Sequence, residues 1–260
     1  GVGTNLKFYI ERGGFYYDVT PIRATTLAGA VTFSASTSSS TLTVTSAAHG
    51  ALLNDFVTFS GAVSLGGNIT ADVLNQEYQI TSITDENIYT ITAKNTAGVT
   101  VTASALDTGN GGAAVVGAYQ INTGNDAPVP LVGWGAGEWG GGEWGIGNTT
   151  TQPLRLWSQT NFGEDLVFAY RGGPLLYWDA TTGTAVRAQI VDTTNFPTSS
   201  DVPTVVNYSF VSDISRFVFA FGANALGASL IDPMLIRWSD QESFVNWTPD
   251  AANQAGSLRL

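Results

Sequence analysis

Glu138 and Glu143 form a carboxylate pair of the kind that hydrolyses a glycosidic bond. That chemistry needs two carboxyl groups at a set separation across the sugar. Both lie in Gly133-Trp-Gly-Ala-Gly-Glu-Trp-Gly-Gly-Gly-Glu-Trp-Gly145, and a Gly-rich loop is a poor platform for such precision. The pair therefore reads as solvated loop charge. In the same stretch Gly135, Gly137 and Gly140 meet the G-x-G-x-x-G spacing of a dinucleotide-binding turn. That motif needs a strand before it and a helix after it; no helical pattern follows, and Glu138 puts an anion where a phosphate would lie. His49, the only histidine, sits in Ala47-Ala-His-Gly50 with no Ser/Asp constellation beside it, so it takes no catalytic role. Asp85-Glu86-Asn87 and the pair Asp192 and Asn195 supply oxygen ligands without calcium-loop spacing. Asn68, Asn148, Asn207 and Asn246 each begin an N-x-S/T sequon, a chance product of Ser/Thr richness. Cysteine is absent, which excludes disulfides, thiolate metal sites and a cysteine nucleophile. No catalytic, cofactor-binding or metal-ligating residue is assigned: the chain reads as a non-enzyme.

Trp134, Trp139 and Trp144 are the residues assigned to binding. Their five-residue spacing on a Gly-rich tether fits neither a strand face nor a helix face. Gly lets the backbone turn tightly, and Trp supplies large contact area at little conformational cost. The assignment is an interface; packing of the rings on their own domain is the alternative.

Period-two patterns supply the elements around these residues. Lys7–Ile10, Phe15–Val19, Thr41–Thr45, Asp55–Phe59, Glu77–Thr81 and Ile88–Thr92 read as short strands, as do Leu166–Tyr170, Leu175–Trp178, Phe217–Phe221 and Met234–Trp238. Gly-Gly, Asn-Asp and Asp-Glu-Asn turn signals separate them, and no window carries a capped 3.6-residue period. The fold class is all-β. Residues 29–105 are Thr/Ser/Val-rich and lack tryptophan, while the strands on either side are aromatic, so 29–105 is expected to be an inserted small β-barrel or sandwich. The outer regions are expected to form a partial or complete β-propeller-like platform, with residues 1–28 as its first strands, 106–152 as linker and Gly/Trp loop, and 153–260 as blades. The basis is a weak repeat: Phe8–Asp18, Phe168–Asp179, and Phe219–Gly222 continued by Asp232–Asp240. Each copy gives an aromatic strand, a turn, a second strand ending in an aromatic, and an Asp at the exit, the pattern of a sheet that buries both faces against its neighbours. Trp178 and Trp238 are expected to be buried, equivalent strand ends.

Composition limits the partners. The 260 residues carry 10 Lys and Arg against 21 Asp and Glu, a formal net charge of −11, with only 12% charged residues. That balance argues against a basic nucleic-acid-binding face, and no apolar run is long enough to cross a bilayer as a helix. The first residue is Gly1, and Ala255–Leu260 alternates like the start of a strand; trimming and excision from a longer chain both stay open.

Two stretches carry a resemblance. Leu42–Gly50, Asn54–Phe59, Asn75–Ile80 and Asn87–Ile91 resemble a small β domain of phage structural proteins, named after the first-catalytic-cysteine half-domain of ubiquitin-activating enzymes. Tyr9–Arg23 and Asp232-Pro-Met-Leu-Ile-Arg-Trp-Ser-Asp-Gln-Glu-Ser-Phe-Val-Asn-Trp-Thr-Pro249 resemble tail nozzle or tail-hub proteins of short-tailed bacteriophages. The resemblance implies a virion tail component assembled in the host cytoplasm, with partners of two kinds: copies of itself in a homo-oligomeric ring, commonly six, and other tail proteins. DNA would pass through the conduit without specific binding, and an acidic, Lys-poor surface suits that task because phosphates do not stick to it. A carbohydrate-binding or host-adhesion module of a tail, using Trp134, Trp139 and Trp144 as sugar platforms, is the alternative.

Overall fold

In a computed structural model, residues 1–123 and 155–260 are described. They form two compact units, Gly1–Pro21 with Thr123–Leu260, and Ile22–Asn122. The Gly/Trp loop, with Trp134, Trp139, Trp144, Glu138 and Glu143, lies outside the described residues. The first unit begins with a three-stranded antiparallel sheet, β1 (Val2–Gly3), β2 (Phe8–Arg12) and β3 (Phe15–Asp18). Gly13 and Gly14 between β2 and β3 both have positive φ, +64° and +84°, the two-residue hairpin turn that only such residues enter easily.

The Ile22–Asn122 unit holds β4 (Ile22–Thr25), β5 (Val31–Ala35), β6 (Thr41–Ser46), β7 (Phe56–Ser60), a single helical turn α1 (Ala71–Leu74), β8 (Glu77–Ile83), β9 (Ile88–Thr92) and β10 (Val116–Gln120). The strands make one sheet in the order β4-β10-β7-β8-β9-β6-β5. Alternation decides which face is buried. In β6, Leu42, Val44 and Ser46 are buried while Thr41 and Thr45 are exposed. Phe33, Val44, Val57, Phe59, Tyr78, Ile80, Tyr89 and Ile91 from neighbouring strands meet in one core, as expected for an antiparallel sheet with one dry face. The sheet does not close into a barrel. The segment before β10 instead covers the free edge of β5, through Gly29 N–H to the Val115 carbonyl and Phe33 N–H to the Asn110 carbonyl, both 2.9 Å, which protects an otherwise open edge. Residues 29–105 fall inside this unit. Strands β4 and β10 lie beyond that compositional boundary and pair with each other, Ala118 opposite Thr25.

The other described strands of the first unit form two four-stranded sheets. One is β11 (Trp157–Phe162), β12 (Asp165–Tyr170), β13 (Leu176–Trp178) and β14 (Gln189–Ile190); the other is β15 (Val206–Val211), β16 (Val218–Asn224), β17 (Ile231–Trp238) and β18 (Gly256–Arg259). Each is an antiparallel meander in chain order. They share a core containing Val167 and Ala169 of β12 with Val218 and Ala220 of β16. Between β11 and β15, the buried hydroxyls of Ser158 and Ser209 lie 3.0 Å apart. Aligned on Val167-Phe-Ala-Tyr170 and Val218-Phe-Ala-Phe221, the two sheets therefore meet through like, small-residue faces, a two-layer contact. The other face of the β11–β14 sheet is covered by Phe8, whose ring stacks on Phe168 at 4.3 Å.

Trp178 and Trp238 close the third strands of their sheets, but both are half-buried rather than buried. Each indole N–H donates to a carbonyl just before the fourth strand, Val186 at 3.1 Å and Gln254 at 2.7 Å. Reaching that carbonyl holds the ring at the rim of the sheet. Among the described residues, the tryptophan with no exposed surface is Trp247.

Candidate functional site

The side chains that spacing put forward for chemistry are engaged in turns. His49 Nδ1 accepts the Ala51 N–H at 2.9 Å and Nε2 lies 3.1 Å from the Asp85 carbonyl, so the ring joins two loops as an Nε2–H tautomer. Asp85 accepts the Asn87 N–H. Asp192 accepts the N–H groups of Thr194 and Asn195 and the Asn195 amide. These are Asx turns. Asn246 directs its amide oxygen to the Ser200 hydroxyl at 2.8 Å. Among the described residues, no group of three or more His, Asp or Glu side chains is arranged to hold a metal, and no helix is long and apolar enough to cross a membrane.

Asp18 and Asp179, at two of the three repeat exits, accept N–H groups of the following turn, whereas Asp240 also bonds across to Gln254. Asp179 accepts the Thr181 N–H at 2.8 Å and hydroxyl at 2.6 Å. Asp240 accepts the N–H groups of Gln241 at 2.9 Å and Gln254 at 2.8 Å. Asp18 accepts the Thr20 N–H on one oxygen; the other takes Lys7 Nζ at 2.8 Å and Arg187 Nη1 at 3.0 Å. Burial raises the Asp18 carboxyl, but the Lys7 hydrogen bond and the charges of Lys7 and Arg187 outweigh it and hold the group below its ordinary value. In the other unit Asp55 behaves oppositely. It accepts the Leu52 N–H at 2.9 Å and the Asn122 amide at 2.6 Å, yet burial prevails over these bonds and the Arg23 charge and pushes its carboxyl up.

The best-built cluster lies in the segment that carries the tail-protein resemblance. Arg237, fully buried, donates through Nη2 to the Asp201 carboxylate at 2.9 Å and the Asp201 carbonyl at 2.6 Å, and through Nη1 to the Asn224 carbonyl at 3.2 Å. Asp201 has φ +49°, a conformation Asp tolerates better than most residues. The guanidinium lies 5.9 Å from the Trp247 ring centroid, and the Trp247 indole N–H donates to the Phe244 carbonyl at 2.9 Å. Burial lowers the Arg237 pKa and Asp201 opposes the shift. The three hydrogen bonds from the guanidinium all go to protein acceptors on Asp201 and Asn224, so this constellation fastens the β15–β18 sheet to the loop ahead of it. Arg237 and Trp247 stand out in the sequence; Asp201, 36 residues away, carries no local signal.

The remaining candidate is a surface. On the side of the β15–β18 sheet away from the shared core, the register sets Tyr208 beside Phe221 and Phe210 beside Phe219, with Phe219 beside Trp238 and Phe221 beside Ile236 in β17. Phe210 stacks on Phe219 at 5.0 Å and on Phe221 at 5.7 Å. Tyr208 is 53% exposed and the four phenylalanine and tryptophan rings are half-buried. Sequence periodicity marked β16 and β17 as strands but not β15, which supplies Tyr208 and Phe210, and gave the ladder no role.

No family model matches the chain, and no curated protein matches it. Among solved structures it is similar to phage phi92 endosialidase, at 13% identity and a TM-score of 0.24, over 94% of this chain and 32% of that one. The chain thus spans about a third of that protein's length. A TM-score of 0.24 does not define a shared fold, and neither fold nor activity is carried across.

Proposed function

We propose that the chain is a structural subunit of a bacteriophage tail, a nozzle or hub component that assembles with copies of itself and with other tail proteins around a DNA-ejection conduit. One observation carries this reading. The Arg237–Asp240 and Asn246–Pro249 stretches, the most specific part of the resemblance to tail proteins, serve as internal fastening, with Arg237 and Trp247 both buried. A segment whose distinctive residues hold the fold together serves a scaffold better than a catalyst. The net charge of −11 supports passage of DNA without retention. In this reading the meanders are units of a propeller-like platform, and the Ile22–Asn122 unit is the inserted small β domain. Electron-microscopic class averages of the purified chain test it: rings with a central opening are expected, and the same preparation should not retain duplex DNA on a filter at about 150 mM salt. Uniformly monomeric particles that bind glycans saturably would replace this reading with the adhesion one.

A further inference from the structure

The aromatic face of the β15–β18 sheet has a covered counterpart inside the molecule. On the β11–β14 sheet, Phe168 of Val167-Phe-Ala-Tyr170 is stacked by Phe8 at the base of the β2–β3 hairpin, with centroids 4.3 Å apart, and has no exposed surface. The matching Phe219 and Phe221 of Val218-Phe-Ala-Phe221 have ring contacts with Phe210, Phe217 and Trp238 of their own segment and remain part exposed. The free end of the same hairpin carries Phe15 and Tyr16, 69% and 65% exposed, beside Gly13 and Gly14, which have open space next to them.

We infer that the β2–β3 hairpin tip of a second copy of this chain seats Phe15 and Tyr16 on the face formed by Tyr208, Phe210, Phe219 and Phe221. The inference rests on the self-assembly reading above and names the surfaces that make the contact. Charge permits it. The ladder presents no group charged at neutral pH, and Glu11 and Arg12 at the hairpin tip cancel, so two copies of net charge −11 meet without repulsion at the contact. Hairpin and face are different surfaces, so each copy gives one and receives one, and repetition builds a ring or a helix rather than a closed pair. Area favours the ring. The four-stranded face as a whole, at about 4.8 Å per strand and about five residues of about 3.4 Å, measures roughly 300 Å², of which these four rings occupy β15 and β16; that is short of the roughly 800 Å² per partner of a stable pair. A single contact is too small to hold an isolated dimer; ring closure gives every copy two.

Because the chain has no cysteine, engineered thiols report the contact without background. Chains carrying Arg12→Cys and chains carrying Tyr208→Cys, mixed and oxidised, should form a disulfide-linked dimer at least tenfold faster than either variant alone. Equal rates overturn the inference. Independently, Phe15→Ser with Tyr16→Ser alters only exposed rings, and by sedimentation equilibrium it should convert the oligomer to monomer while tryptophan fluorescence stays native. An oligomer retained in that variant overturns the arm-on-face contact and leaves the self-assembly reading standing. An unsubstituted chain that is monomeric at every concentration overturns both.

Discussion

The two units use antiparallel strands in opposite ways. In the Ile22–Asn122 unit, a strand such as Thr41-Leu-Thr-Val-Thr-Ser46 buries alternate residues; its sheet serves a single core and gives threonine to the solvent face. In the other unit, Leu166-Val-Phe-Ala169 is buried without interruption, because β12 lies between the Phe8 side and the core shared with β16. A sheet with one dry face completes itself by curling over its own residues. Thin sheets with two apolar faces need a neighbour for each, and the last sheet of the series presents an aromatic face for which the chain shows no cover among the described residues. Assembly is therefore to be sought in the layered unit, at the aromatic face of the β15–β18 sheet.

All seven tryptophans lie outside residues 22–122, so indole fluorescence reports one unit alone and separates their responses. The largest expected effect is from core truncation. Trp247→Ala should cost about 3–5 kcal/mol in the unfolding transition followed by tryptophan, and Phe59→Ala, which removes a ring packed on Phe33 at 4.9 Å, should cost a similar amount in a transition tryptophan does not see. Denaturant titrations followed by fluorescence and by far-UV circular dichroism check this; if both substitutions move both transitions equally, the units are one cooperative body.

Acid should act with opposite sign through two carboxyls, Asp18 in one unit and Asp55 in the other. The Asp18 carboxyl is held below its ordinary 3.8, so its contribution is present above that pH and is lost as pH falls toward the folded-state value. The Asp55 carboxyl is raised above 3.8, so its contribution is full below that pH and is lost as pH rises through the folded-state value. Between about pH 5 and pH 3, Asp18→Asn should flatten the acid weakening of the tryptophan-reported transition, and Asp55→Asn should flatten an opposing trend in the other unit. Unchanged pH profiles in both variants would remove the two carboxyls from the account.

The smallest effect concerns the repeat itself. Trp178→Phe and Trp238→Phe keep an aromatic ring at the rim but delete the N–H donor to Val186 or Gln254. Each should cost about 1 kcal/mol, the net value of a neutral hydrogen bond, measured by the same fluorescence transition with Trp247 as reporter. A loss of several kcal/mol in either would restore the fully buried role expected from the sequence pattern.

Composition and periodicity determined the all-β class and the position of strands such as Ile88–Thr92 and Leu166–Tyr170, because the two-residue alternation of side chains is written locally. The same local chemistry suits Asp18 and Asp179 to accept the N–H two residues on, since an Asx turn is closed within a few residues, whereas the bond from Gln254 to Asp240 spans 14 residues. The pairing of β4 with β10, the neutralisation of Arg237 by Asp201, and the enclosure of Trp247 while Trp178 and Trp238 stay at the rim arise from the three-dimensional arrangement. These are pairings between residues far apart in the chain. Ile22-Arg-Ala-Thr25 and Val116-Gly-Ala-Tyr-Gln120 carry no mark of each other, and a buried guanidinium requires an acceptor without specifying which loop supplies it. Which face of a sheet is covered is likewise settled by stacking order, and the shared Val-Phe-Ala-aromatic motif is the same whether its phenylalanine meets Phe8 or stays on the surface.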